Sequence, residues 1–130
     1  MIILDSDICI SILRGNKLVI EKRESCDEGI CISFMTVAEL YYGAEKSNYR
    51  KQNINLVERS LLSILIIDSD IEITQKFGEL KARLSKSGRI IADADLFIAS
   101  TAITKCTKLI TGNIKHYNRI DELKIENWLR

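Results

Sequence analysis

The chain has 130 residues, 46% of them hydrophobic, with six glycines and no proline. That size and composition suit one domain over residues 1–130 and exclude two independent cores, linker-rich arrangements and low-complexity tracts. Nineteen Lys and Arg against eighteen Asp and Glu give a formal net charge of +1, so overall charge excludes neither a polyanion nor a protein as partner.

No apolar run approaches the roughly 20 residues needed to cross a bilayer. Asp5 and Asp7 also interrupt the amino terminus where a signal peptide would be apolar. The expectation is a cytoplasmic protein without membrane contact, whose four cysteines are reduced. A single histidine, His116, and the lack of a Cys-x-x-Cys pair argue against structural zinc.

Ile2-Ile3-Leu4 predicts a buried strand that stops at Asp5-Ser6-Asp7, and a carboxylate at the carboxyl end of such a strand faces the crevice where α/β proteins bind ligands. Helical segments follow over Ile8 to Leu13 and Leu18 to Glu28, broken near Gly15-Asn16. Ile30 to Ser33 predicts the second strand, and Thr36 opens a helix that runs through Val37 to Tyr42 and stops at a glycine and a charged tail. A helix over Tyr49 to Leu62 precedes a third strand, Ile64 to Ile67. Ile73, Phe77, Leu80 and Leu84 recur at helical spacing and predict an amphipathic helix over Ile71 to Ser85. Another helix follows Asp93, then a fourth strand over Lys108 to Thr111, with a candidate closing strand in Leu123 to Glu126. Short apolar strands alternating with helices imply an α/β fold whose mainly parallel sheet, of four to five strands, is covered on both faces.

The acids in this frame each have two readings. Asp5 and Asp7 are either caps of the next helix or ligands in the crevice. Glu39 lies in a capping-box pattern, Thr36-Val37-Ala38-Glu39, yet also places a charge on a largely apolar helix. Ser69-Asp70-Ile71-Glu72 has the same pattern with no functional counterpart. Asp93 and Asp95 open an apolar helix, where amide dipoles favour negative charge, but capping accounts for one acid more readily than two. Thr111-Gly112-Asn113 is either a plain turn or a polar strand end able to hold a water or phosphate. Basic residues gather around Arg14 to Arg23, Arg83 to Arg89 and Lys105 to Arg119, a pattern compatible with a basic rim around an acidic centre. Gathered at one edge, the acids would form an oxygen-ligand site for magnesium or manganese.

Taken in order, Ile3-Leu4-Asp5-Ser6-Asp7, Thr36 to Gly43, Ala92 to Ala99, Leu109 to Asn113 and Leu123 to Trp128 make the chain resemble the PIN-domain ribonucleases, and among them the VapC-type toxins of bacterial toxin–antitoxin pairs. The resemblance implies a PIN-like three-layer α/β/α sandwich and a ribonuclease dependent on Mg2+ or Mn2+. It implies Asp5, Glu39 and Asp95 as the catalytic, metal-binding acids, with Asp93 a further metal candidate and Asp7, Thr111 and Asn113 in support. It also implies RNA as substrate, a VapB-like antitoxin lying across the acidic centre, and a homodimer. The family often has Asp-Thr-Asn where this chain has Asp5-Ser6-Asp7, and some relatives carry an acid near Asn113, so one ion or two are both open. Two rivals stand beside this reading: a PIN-like module that binds RNA or protein without catalysis, and a haloacid-dehalogenase-type phosphatase with Asp5 as nucleophile. The phosphatase needs a late acidic pair at a strand end, where this chain has Gly112-Asn113.

Overall fold

A computed structural model describes all residues, Met1–Arg130. In chain order the elements are β1 (Ile2–Leu4), α1 (Ser6–Leu13), α2 (Lys17–Glu24), β2 (Ile30–Ser33), α3 (Phe34–Glu45) and α4 (Arg50–Leu61). There follow β3 (Leu65–Ile67), α5 (Ile71–Lys86), α6 (Asp93–Lys105), β4 (Lys108–Ile110), α7 (Ile114–Tyr117) and β5 (Ile125–Glu126). The five strands lie in the order β3-β2-β1-β4-β5, and every pairing is parallel.

Strand β1 is central, and Ile2, Ile3 and Leu4 are all fully buried, because helices cover both faces of a parallel sheet. Alternation along the strands divides the core. Ile3, Cys31 and Leu109 point to the side packed by Leu80 and Leu84 of α5 and by Leu96, Ile98 and Ala102 of α6. Ile2, Leu4, Ile32 and Ile110 point to the other side, against Ile8 of α1, Val19 of α2, Leu40 of α3 and Val57 of α4. The result is a three-layer α/β/α sandwich, as expected. The chain winds outward from β1 in one direction to β2 and β3, and in the other to β4 and β5. The carboxyl ends of β1 and β4 therefore flank the topological switch point, where open α/β sheets form a binding crevice.

The turn after α1 follows from its residues. Gly15 has φ +79°, a conformation that costs glycine little, and Asn16 then caps α2 by accepting a hydrogen bond from the Val19 amide at 3.2 Å.

The local structure differs from the expectations at five points. Helix α3 is capped by Ser33, the last residue of β2, whose hydroxyl accepts from the Thr36 amide at 3.1 Å. Glu39 thus lies well inside the helix and is not the glutamate of a capping box. Helix α5 is capped by Asp70, not Ser69, with Asp70 Oδ1 2.9 Å from the Ile73 amide, and Glu72 pairs with Lys105. Helix α3 runs through Gly43 to Glu45, and α2 stops at Glu24, short of Glu28. Helix α7 has no counterpart among the elements read from the sequence. No helix is long and apolar enough to cross a membrane.

Candidate active site

Asp5 leaves β1 with its amide bonded to the Ile110 carbonyl of β4 at 2.9 Å, which locks the residue at the switch point. Its Oδ1 accepts from the Ser6 amide at 2.8 Å and its Oδ2 from the Thr111 hydroxyl at 2.7 Å. Asp5 is thus both the N-cap residue of α1 and the deepest acid of the crevice, 6% exposed. Burial pushes its carboxyl up to about 7, the charges of Asp7 and Asp95 push the same way, and the bonds from Thr111 and Ser6 oppose them.

Asp7, in the first turn of α1, accepts from the Gly112 amide through Oδ2 at 2.8 Å. Its Oδ1 is buried and has no hydrogen-bond partner. Its carboxyl is also raised, chiefly by burial. A Cβ on Gly112 would stand 2.9 Å from Asp7 Oδ2, so only glycine permits this close approach of the β4 end to α1.

Between these acids, Ser6 donates from its hydroxyl to Glu39 Oε1 at 2.6 Å, bringing α3 to the same edge. Asp95, in the first turn of α6, accepts from the Tyr117 hydroxyl through Oδ1 at 3.3 Å, and its Oδ2 lies 3.3 Å from His116 Nδ1. Tyr117 is fully buried, and burial, followed by the Asp5 and Asp95 charges, raises its phenol and keeps it a donor. Thr111 Oγ1 accepts from the Asn113 amide at 3.0 Å while donating to Asp5.

The structure therefore brings Asp5, Asp7, Glu39, Asp95, Thr111 and Asn113 to one edge of the sheet. Asp93 is not with them. Its side chain is 60% exposed and pairs with Lys81 of α5 at 2.9 Å. Among the basic residues, Arg83 pairs with Glu122, Lys105 with Asp70 and Glu72, and Lys108 with Glu126, so these three are engaged in surface ion pairs. Ser6, His116 and Tyr117 are site residues that the sequence reading missed. The one available signal was a lone histidine and an aromatic a few residues after the Thr111-Gly112-Asn113 turn.

No three His, Cys, Asp or Glu side chains are already gathered as a metal cage. Each acid instead has its own partner: Asp5 the Thr111 hydroxyl, Asp7 the Gly112 amide, Glu39 the Ser6 hydroxyl, and Asp95 the Tyr117 hydroxyl and His116. The donor set still suits a hard divalent cation. It is dominated by carboxylate oxygens, and the unpartnered Asp7 Oδ1 is a buried acceptor that lacks a positive partner.

The PIN domain family is matched over residues 2–123. The chain belongs to the PIN-domain family. Within it, this PIN domain is 39% identical to Ribonuclease VapC2 of Haemophilus influenzae over 127 residues, covering 97% of this chain and 96% of that one. It is 31% identical to the tRNA(fMet)-specific endonuclease VapC of Shigella flexneri, with 96% of each covered. Among solved structures, VapBC2 from Rickettsia felis bound to a DNA fragment from their promoter matches with a TM-score of 0.92 at 36% identity, over 98% of this chain and 99% of that one. These relatives put the PIN domain among the VapC proteins.

Proposed function

We propose that the protein is a metal-dependent ribonuclease toxin that hydrolyses RNA phosphodiester bonds at the edge formed by Asp5, Glu39 and Asp95. The observation that carries the reading is the convergence of buried or half-buried acids from α1, α3 and α6 on the carboxyl ends of β1 and β4, in a chain nearly full-length similar to a protein named Ribonuclease VapC2.

Asp5, Glu39 and Asp95 would hold Mg2+ or Mn2+, with Asp7 offering its unpartnered Oδ1; Asp93, tied to Lys81, is left outside the set. A divalent ion supplies positive charge against the charge developing on phosphate and acidifies water at neutral pH. The chain's own residues prepare the place. Thr111 and the Ser6 amide hold both Asp5 oxygens, Ser6 Oγ holds Glu39, and Tyr117 holds Asp95. Each carboxylate thus has a fixed rotamer with a remaining lone pair available, which is the preorganisation that a catalytic constellation needs.

A VapB-like antitoxin is the expected partner, since the Rickettsia felis neighbour is described as VapBC2. An apolar groove of about 380 Å³ between α1, α3 and α4, lined by Ile10, Leu13, Leu40, Tyr42 and Val57, offers surface for a partner helix. Homodimerisation and a cytoplasmic site of action complete the proposal. Transfer RNA is the first substrate to try, because the Shigella flexneri relative is named for it.

The test is digestion of total RNA and of purified tRNA by partner-free protein with Mg2+ or Mn2+, beside Asp95→Asn and a chelator control. Discrete fragments made only by the wild type with metal support the reading. RNA binding without cleavage, unchanged in Asp95→Asn and without metal, would favour the non-catalytic module instead. Hydrolysis of a small phosphomonoester that fails with Asp5→Asn would favour the phosphatase.

A further inference from the structure

Cys31 and Cys106 are free thiols whose sulfurs lie 3.5 Å apart. Cys31, on β2, is fully buried on the α5–α6 side of the sheet, and Cys106, which ends α6, is half-buried and packs against the same cluster. Thr107, next in the chain, donates to the Met1 carbonyl just before β1, so the pair sits at the amino end of the strands, opposite the acidic edge. The single hydrogen on Cys31 Sγ has two acceptors in reach, the Ile2 carbonyl at 3.4 Å and Cys106 Sγ. While Cys106 is a thiol, it donates to Cys31 and Cys31 donates to Ile2. When Cys106 ionises, the Cys31 hydrogen turns to it, which holds the Cys106 thiol below its ordinary range, while Cys106 and burial together hold the Cys31 thiol above. Cys9 differs, because burial alone pushes its thiol up to about 12 and leaves it inert.

We propose that Cys31 and Cys106 are a peroxide-oxidisable dithiol, a modification site at which an intramolecular disulfide forms and braces the folded chain. Neither residue belongs to the acidic edge, so the site stands whether or not that edge binds metal. The Cys106 thiolate attacks one oxygen of hydrogen peroxide; the O–O bond breaks, the departing hydroxide takes up the proton that the thiol released and leaves as water, and Cys106 becomes a sulfenic acid. The Cys31 sulfur then attacks Cys106 Sγ while its hydrogen passes to the leaving hydroxyl, so that an S–S bond forms, the S–O bond breaks and a second water departs. The two thiols lose two electrons and the peroxide gains them. At 3.5 Å the sulfurs already stand at a near-attack separation. Closing to the roughly 2.0 Å of a disulfide takes about 1.5 Å, and Cys106 supplies it, since it follows the last turn of α6 at the partly exposed surface whereas Cys31 is fixed inside the sheet. The two positions are 75 apart in sequence, so the cross-link removes much of the unfolded chain's freedom while tying β2 to the end of α6.

The test treats the full chain, reduced and then freed of reductant, with excess hydrogen peroxide, alkylates the remaining thiols, and maps the unreduced peptides by mass spectrometry. The expected product is a monomer lighter by two hydrogen atoms, with a linked Cys31–Cys106 peptide that a small thiol separates again. Its melting temperature should stand roughly 5–15 °C above that of the reduced protein, and the rise should vanish on reduction. Cys31→Ala should stop at a sulfenic acid on Cys106, trapped by dimedone, with no rise in melting temperature. Cys106→Ser should leave Cys31 a thiol, and Cys26→Ala, which removes a partly exposed competitor, should oxidise as the wild type does. The wild-type peptide map and melts need no variant, so misfolding of Cys31→Ala leaves the outcome decided. A wild type whose Cys31 and Cys106 both remain thiols in excess peroxide, a Cys106 carried to the sulfinic acid without a cross-link, or a cross-linked chain that melts no higher would each overturn the proposal.

Discussion

The Ser6 hydroxyl donates a 2.6 Å hydrogen bond to Glu39 Oε1, joining the first turn of α1 to the middle of α3 across the carboxyl edge of the sheet. A bond to an ionised carboxylate contributes about 1.5–3 kcal/mol when desolvated, and this one is only partly buried. Ser6→Ala is therefore expected to cost about 1 kcal/mol of stability and to reduce cleavage more than the small loss of folded protein explains, because Glu39 becomes free to rotate. Ser6→Thr should retain both. Thermal melts beside initial cleavage rates check this. Equal rates for Ser6→Ala and wild type would mean that Glu39 needs no brace.

Asp5 makes the metal-free fold pH-dependent. Its folded carboxyl holds a proton up to about pH 7, whereas its ordinary value is 3.8, so between those values the folded state binds more protons than the unfolded one. Stability from this group is fully present below its ordinary value and is lost as pH rises through about 7, with a slope of at most about 1.4 kcal/mol per pH unit. Asp5→Asn has no such slope. In chelator, the wild type should gain on Asp5→Asn as pH falls from about 8 to about 5. A stability difference independent of pH would contradict the buried charge. Added Mn2+ should close the gap on the alkaline side, since a cation replaces the missing proton.

The sheet and its acidic edge were legible because their signals are local. Ile2 to Leu4 is apolar on both faces, which only a central parallel strand requires, and Asp5 ends it at once. Helix α3 shows where local signals mislead. Thr36 and Glu39 match a capping box, but Ser33 ends β2 and caps α3 with no linker between them, so the match is accidental. The roles of His116 and Tyr117 were not legible at all. A four-residue helix has no periodicity to detect, and it meets Asp95 only because the chain reverses through β4 between α6 and α7, bringing together side chains more than twenty residues apart.

Asp93 and Asp95 stand two residues apart, yet the fold separates their prospects. Asp93 is an exposed partner of Lys81, and exposed pairs of this kind are worth little. Asp95 is bonded to Tyr117 and faces His116. Asp93→Asn should leave cleavage within about twofold of wild type and stability within about 0.5 kcal/mol. Asp95→Asn should reduce cleavage by about a hundredfold or more while the protein stays folded. A side-by-side rate comparison at matched folded concentration decides it, and comparable losses would put Asp93 in the site after all.

Gly112 tests how tightly the end of β4 is fitted to α1. Its Cβ would lie 2.9 Å from Asp7 Oδ2 and closer still to Leu129 Cδ1. The leucine end is flexible and partly exposed, so it can swing away at little cost. Asp7 cannot, because Oδ2 is held by the Gly112 amide itself and Oδ1 is buried without a partner. Gly112 does not have a positive φ, so the cost of Gly112→Ala is steric, about 1–3 kcal/mol. The double variant Gly112→Ala with Leu129→Ala separates the two obstructions by thermal melting, judged against Leu129→Ala alone. If the alanine at 112 remains destabilising in that background, Asp7 is the rigid neighbour, and metal binding should weaken with it. If the penalty vanishes, Leu129 was the whole obstruction and Asp7 moves more freely than its buried oxygens imply.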